Sequence, residues 1–408
     1  MTEAFYLPNS NYPENPFVEA LPPILTEDEL VLQLSALPDY TDEERNLSTE
    51  KRLEKLNFIF DVYQPLPTTI TLYHQIYHCL LTGFTQKNVY LNRQAPGRSL
   101  TLIGISGIGK TTAVMKILGL IPQVIAHKSY HGQPFFCKQI NFLNVECPHD
   151  GSVKGLCLSI LGEFDRLTGT GYFERATKSR LSVDGMVVQI RALSACIGLV
   201  VVDECQNIAG SKPQILNFMT QLMNEGVSMI LLATPQFLPV LQQQFRLIRR
   251  ANVFLLRTLP EEEFELLLDS LWRYQYTHKV VPLSADLRRF IREKSGGIPD
   301  IVAKICFYVQ VDAIEQGTET FDLVSLQRSI HRHLEVVEDF IGKLQAQNTA
   351  QLLQYNDVYL PPEVPCAVSG GPEVDFGNDL RRLAKDTKRQ GGSLWEEMRA
   401  AGYLKGEL

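Results

Sequence analysis

The sequence predicts an α/β fold, a parallel sheet covered by helices on both faces, followed by a smaller all-helical unit. Three observations carry this. A glycine-rich loop, Gly104-Ile105-Ser106-Gly107-Ile108-Gly109-Lys110-Thr111, stands between a short apolar run and a helix-forming run. A second apolar run, Leu199-Val200-Val201-Val202, leads straight into Asp203-Glu204. Between residues 99 and 258 strand-length apolar runs alternate with helical stretches, and beyond Pro260 only helical periodicity remains.

Taken in order, residues 1–45 read as an extended arm. Pro8, Pro13, Pro16, Pro22, Pro23 and Pro38 interrupt it, with one helical patch at residues 26–32. Residues 46–98 read as an N-terminal helical region, in which Leu53, Leu56 and Phe60 recur at helical spacing after Ser48-Thr49. Pro65 and Pro67 break that helix, and a second is expected over residues 71–83. The nucleotide-binding core is expected over 99–258, with strands at 100–104, 136–145, 197–202 and 228–233 and a fifth at 253–256. Helices at 261–276, 285–294, 299–316 and 323–340 would form a lid over 259–345. From about Ala346 periodicity is lost among Pro361, Pro362, Pro365, Gly370, Gly371 and Pro372. Residues 346–408 are therefore expected to be a flexible linker with a partner-binding tail, basic at Arg381, Arg382, Lys385, Lys388 and Arg389 and ending near Trp395.

The glycine loop matches G-x-x-x-x-G-K-[ST] at every position and sits in the strand–loop–helix setting that the motif requires. Backbone N–H groups along such a loop point at phosphate oxygens, and the helix N-terminus adds partial positive charge. Gly104, Ser106, Gly107, Ile108, Gly109, Lys110, Thr111 and Thr112 are thus the expected contacts of ATP. Lys110 reaches the β- and γ-phosphates, and Thr111 offers its hydroxyl to Mg2+. Asp203, at the C-terminal edge of a buried strand, would complete the Mg2+ shell, and Glu204 would polarise the attacking water. The run Met229-Ile230-Leu231-Leu232-Ala233 ends in Thr234, which either senses the γ-phosphate or caps a strand before Pro235. Arg246, Arg249 and Arg250 cluster before the fifth strand. Arg249 and Arg250 are read as trans-acting arginines that reach a neighbouring subunit's γ-phosphate, the competing reading being a solvated basic patch at a helix end.

Composition narrows the class. The chain has 408 residues, 45% of them hydrophobic, enough for more than one domain. No apolar run reaches the ~18 residues of a membrane span, and Met1-Thr2-Glu3-Ala4-Phe5 lacks a secretory n-region, so no membrane and a cytoplasmic location are expected, and the resemblance given below implies a bacterial one. Eight cysteines without C-x-x-C pairs favour reduced thiols. Cys137, Cys147, His149 and Cys157 do not form two tight ligand pairs, so buried cysteines are preferred to a zinc site. A net charge of −7 excludes a whole-protein basic field, so nucleic-acid binding would need local patches or many copies.

Together these elements resemble the AAA+ P-loop ATPases: Walker A, an Asp-Glu Walker B, a sensor strand, a trans-arginine region and a helical lid. More narrowly, the chain resembles the TnsC/TniB branch, target-selection regulators of bacterial transposons, RNA-guided or not. The residues behind this are 141–156, above all Cys147-Pro148-His149-Asp150-Gly151-Ser152, with Asp203-Glu204-Cys205-Gln206-Asn207, 233–236, Ser295-Gly296-Gly297-Ile298-Pro299, and Leu47-Ser48-Thr49 with Arg52. The resemblance covers about residues 40–335. It implies a homo-oligomer, ring or filament, that assembles on double-stranded DNA with ATP. Such a regulator takes a signal from a target-site recruiting protein, passes it to transposase subunits, and disassembles on hydrolysis. By the same resemblance the DNA-facing residues fall at His149, Lys154, Thr168, Thr170, Lys178 and Arg180. The lid departs from the family, with Pro299-Asp300 where an arginine is common and Lys304 one turn on as the candidate replacement. A helicase loader or STAND-like signalling ATPase is the alternative. A small-metabolite P-loop kinase would need neither Glu204 nor a lid.

Overall fold

Seven strands form one sheet in the computed structural model, which describes residues 1–85, 87–88, 93–94, 97–208, 214–242 and 251–345. They are β1 (Thr2–Glu3), β2 (Ser99–Gly104), β3 (Val124–Tyr130), β4 (Gln133–Glu146), β5 (Ile197–Asp203), β6 (Ser228–Ala233) and β7 (Ala251–Leu256). Their spatial order is β1-β3-β4-β5-β6-β2-β7, and every neighbouring pair is parallel except β3 with β4. The chain divides into the units Met1–Leu360 and Pro361–Leu408. The second unit, and with it the expected tail 346–408, lies outside the described residues.

The central strands are apolar throughout because both faces are covered: all six residues of β2 and of β6 are buried. Period-two alternation sorts their side chains. Leu100, Leu102, Leu199, Val201, Ile230 and Leu232 enter one core with the helix Pro67–Thr85. Ile103, Val200, Val202, Leu231 and Ala233 enter the other with helices Val153–Thr168 and Gln214–Asn224. The helix Pro67–Thr85 lies very close to β5. A Cβ on Gly83 would stand 2.0 Å from the Gly198 carbonyl oxygen, so only glycine allows this approach.

Two strands of this sheet were not foreseen, nor was a separate antiparallel pair, Lys87–Asn88 with Arg93–Gln94. β3 joins β4 through His131 and Gly132, whose φ values of 47° and 75° make a two-residue hairpin turn with Tyr130 opposite Gln133. β1 adds to the sheet edge beside β3. The expected extended arm, residues 1–45, contains the helix Glu27–Leu34, closed by a Thr26–Glu29 capping box. The arm is also packed, since Phe17, Val18, Leu21, Leu30 and Leu34 are buried in the core shared with the sheet. Asn15 makes the first contact possible by capping Phe17 and Val18 and donating to the Phe84 carbonyl at 3.1 Å.

Beyond Leu256 the chain is helical: Glu261–Trp272, Ala285–Ser295, Pro299–Glu315, and Leu323–Gln345, kinked at Leu334. Their core includes residues from far upstream. Leu56 and Ile59 are buried in it, and Arg52 is 1% exposed, donating to both oxygens of Glu319 and to the Tyr276 carbonyl. The region 46–98, read as one from sequence, therefore divides by packing. The helix Thr49–Leu56 joins the lid core, and the helix Pro67–Thr85 joins the sheet.

Candidate nucleotide-binding site

β2 is flanked by β6 and β7, and the glycine loop leaves its C-terminal end for the helix Lys110–Leu118. Gly107 (φ 77°) and Gly109 (φ 92°) occupy the left-handed region, which is what curls the loop. Ile105 and Ile108 anchor it, buried in the lid core with Ile298, while Ser106, Gly107, Thr111 and Thr112 stay exposed. The lid touches the loop crest directly. The Asp300 N–H donates to the Gly107 carbonyl at 3.4 Å, and a Cβ on Gly107 would lie 3.3 Å from that of Asp300. Asp300 in turn pairs with Lys304, one helical turn on, at 2.7 Å.

The Lys110 ammonium folds back onto the loop, donating to the carbonyls of Gly104 (2.8 Å) and Ile105 (3.0 Å). Thr111 Oγ1 donates to Asp203 Oδ2 at 2.7 Å, and the other Asp203 oxygen accepts the Glu204 N–H at 2.7 Å. A hydroxyl and a carboxylate converging at the loop's end are hard oxygen donors, and a Mg2+ ion held by few protein groups and by phosphate fits them. Glu204 is exposed, with φ 58°, at the first residue past β5. Its carboxylate accepts from the Gln206 side-chain amide, and Gln206 Oε1 accepts the Thr234 N–H at 3.2 Å. Thr234 is 8% exposed, and its buried hydroxyl has no hydrogen-bond partner among the described residues. A hydroxyl left so at the end of β6 has capacity for a ligand oxygen or a water.

A second layer ties this turn to β4. The Cys147 N–H donates to the Asp203 carbonyl at 2.8 Å, and the Asn207 amide donates to the Cys147 carbonyl at 3.1 Å. Burial pushes the Cys147 thiol up to about 12, so it stays protonated. Among the described residues no three His, Cys, Asp or Glu side chains converge as a metal site. Gln206 and Asn207 had no assigned role in the sequence reading. Their signal was present in an amide pair placed one residue after the Asp-Glu pair.

The segment after Cys147 is a tight turn. Asp150 Oδ1 accepts the Ser152 N–H, and Ser152 Oγ caps the helix Val153–Thr168 through the Gly155 N–H. Hydrogen bonds from Ser152 hold the Asp150 carboxyl below its ordinary range. His149 and Lys154 are exposed at this end. Thr168 and Thr170 lie at the far end of a helix of 16 residues, about 24 Å away. The two sets therefore do not make one patch. Thr168 is buried, its hydroxyl donating to the Phe164 carbonyl and meeting Thr170, so it closes a helix and is not a surface contact. Thr170 is exposed but donates to Asp165, Lys178 pairs with Glu174, and Arg180 is exposed with φ 46°. Arg246, Arg249 and Arg250 lie outside the described residues.

Residues 93–241 match the family model of the AAA domain. This stretch has the AAA+ P-loop fold. Three solved structures resemble the chain at low identity. The Aeropyrum pernix ORC2 protein in ADPNP–ADP complexes is 12% identical, over 67% of this chain and 71% of that one, with a TM-score of 0.42. The Aeropyrum pernix ORC1 protein in complex with DNA is 14% identical, over 66% of each chain, with a TM-score of 0.44. Domain III of the Thermotoga maritima replication initiation protein DnaA is 14% identical, over 68% of this chain and 96% of that one, with a TM-score of 0.39. No curated protein sequence matches the chain. The AAA+ domain spans β2 to β6 and holds Lys110, Thr111, Asp203, Glu204, Gln206 and Thr234. Among the described residues no helix is long and apolar enough to cross a membrane.

Proposed function

We propose that the protein is a Mg2+-dependent ATPase whose catalytic groups are Lys110, Thr111, Asp203, Glu204 and Thr234. The observation that carries this reading is the 2.7 Å bond from Thr111 to Asp203 beside the folded-back Lys110. Lys110, Thr111 and Asp203 each have a contact that phosphate or metal would replace with a stronger one. Lys110 would exchange two neutral carbonyls for anionic phosphate oxygens. Thr111 and Asp203 would hold Mg2+, which when bound neutralises charge across the β- and γ-phosphates. Glu204 would take the proton of an attacking water, and the free Thr234 hydroxyl would hold that water or a γ-phosphate oxygen. Arg249 and Arg250 are proposed to complete the site of a neighbouring subunit.

The finer reading is a DNA-transposition regulator that oligomerises on duplex DNA with ATP and couples target recognition to a transposase. Its support is the resemblance at residues 141–156 and 203–207, together with the exposure of His149 and Lys154 near the nucleotide edge of the sheet. Sedimentation of the full chain with duplex DNA and ATP, over a salt series, tests assembly. Co-sedimentation that requires ATP and falls steeply with salt is expected. Binding of ATP with no DNA-dependent assembly would favour a signalling ATPase instead. A reconstituted transposition reaction with the cognate transposase tests the rest.

A further inference from the structure

We infer that Gln206 is a positioning residue that couples the end of β6 to the carboxylate of Glu204. The inference rests on the ATPase reading above and adds a residue to it. Gln206 spans two groups of opposite demand. The Glu204 carboxylate can only accept, and it accepts from Gln206 Nε2. The Thr234 N–H can only donate, and it donates to Gln206 Oε1 at 3.2 Å. A primary amide carries a donor and an acceptor on one planar group, so glutamine meets both at once. A carboxylate or an ammonium at this position would satisfy one and oppose the other.

Gln206 stands on a stiff base. The turn that carries it is closed by the Asn207 N–H on the Glu204 carbonyl at 3.0 Å. It is stapled to β4 by Asn207 and Cys147 and placed by the left-handed backbone of Glu204. The long Glu204 side chain is exposed and has rotamers to choose from, so an amide fixed at its other end selects among them. Thr234 sits where its hydroxyl is buried and unpartnered, and its own backbone N–H is the anchor of the amide. A shift of Thr234 on taking a phosphate oxygen or water therefore moves Gln206 and redirects Glu204.

The test is single-turnover ATP hydrolysis and fluorescent-ATP binding by the full chain, with Gln206→Ala placed in the parent and in the Glu204→Gln background. In the parent background the expected loss in hydrolysis is on the order of tenfold, with nucleotide affinity changed less than about twofold. In the Glu204→Gln background the same substitution should change the residual rate by less than about twofold, since a residue acting through Glu204 has nothing left to position. Should Gln206→Ala fold poorly, Gln206→Glu keeps the shape, sets like charge against Glu204, and should slow hydrolysis further with ATP still bound. Equal losses in both backgrounds would show a structural role and overturn the inference. Hydrolysis that needs Glu204 but ignores Gln206 would overturn the coupling alone. Hydrolysis indifferent to Glu204→Gln would overturn the ATPase reading and the coupling with it.

Discussion

The buried guanidinium of Arg52 offers the sharpest test of how the lid is built. Arg52 is 1% exposed, its two terminal nitrogens reach both oxygens of Glu319 at 2.6 and 2.7 Å, and one also donates to the Tyr276 carbonyl at 2.9 Å. Arg52→Ala leaves the Glu319 carboxylate and that carbonyl without their main partner. Removing one member of a buried pair costs about 3–5 kcal/mol, and the lower end applies because Glu319 keeps the His278 N–H and some solvent contact. Trp272, buried in the lid with its ring N–H on the Val281 carbonyl, reports the unfolding once Trp395 is replaced by Phe. Denaturant unfolding at pH 7 should therefore show a loss of about 3 kcal/mol at Trp272.

The pH dependence has a definite sign. The hydrogen bonds from Arg52 are the largest cause holding the Glu319 carboxyl below its ordinary value of 4.5. A depressed carboxyl contributes stability that is complete above the unfolded value and is lost as pH falls through the folded one. The gap between parent and Arg52→Ala should therefore be constant from pH 7 to about 5 and narrow only below about 4.5. A loss under about 1 kcal/mol, the size of an exposed pair, would refute the claim that this residue holds the N-terminal segment to the lid.

Other outcomes follow from the same geometry. Lys110→Ala removes the ammonium that waits on Gly104 and Ile105, and ATP affinity in a fluorescence titration should fall at least about 100-fold. Glu204→Gln should bind ATP as the parent does while hydrolysis drops by about 100-fold or more, prolonging ATP-bound assemblies on DNA. Mixing Arg249→Ala/Arg250→Ala with Lys110→Ala should restore some hydrolysis at hybrid interfaces, and no recovery at any ratio between co-assembling proteins would argue against a trans role. His149→Ala and Lys154→Ala should lower the salt slope of DNA binding, whereas Thr168→Val should leave binding unchanged and destabilise the helix end.

The sequence made the central strands and the Walker residues legible for a physical reason. Strands buried on both faces must be apolar without interruption, and a phosphate loop must carry glycines where the backbone turns left-handed. Those constraints are local, so Gly107, Gly109, Asp203 and Glu204 could be read directly. β3 was missed because Val124–Tyr130 mixes polar and apolar residues in an edge hairpin, although His131-Gly132 signalled the turn. The packing of residues 1–45 and the place of Arg52 in the lid were not legible, because both depend on partners more than sixty residues away in the chain. Phe84 for Asn15 and Glu319 for Arg52 are such partners. Thr168 misled for the opposite reason: a threonine at a helix end satisfies its hydroxyl locally, and exposure cannot be read from residue type.

These contacts also decide which of the two exposed segments is tied to the Asp203-Glu204 turn. Thr170 lies about a helix length from the start of the helix Val153–Thr168, and the polar contacts of Thr170 and Lys178 are with Asp165 and Glu174 of their own neighbourhood. His149 is two residues from Cys147, whose N–H holds the Asp203 carbonyl and whose own carbonyl holds Asn207. Pro148 packs so closely on Gly155 that a Cβ there would stand 2.7 Å from it, which fixes the turn to the start of the helix bearing Lys154. Under the proposed function, a load on His149 or Lys154 would pass through Pro148 and the two hydrogen bonds of Cys147 to the segment that carries Asp203, Glu204 and Gln206. On the proposed function, phosphate contacts made by His149 or Lys154 would alter turnover as well as affinity, and a contact made by Thr170 would alter affinity alone.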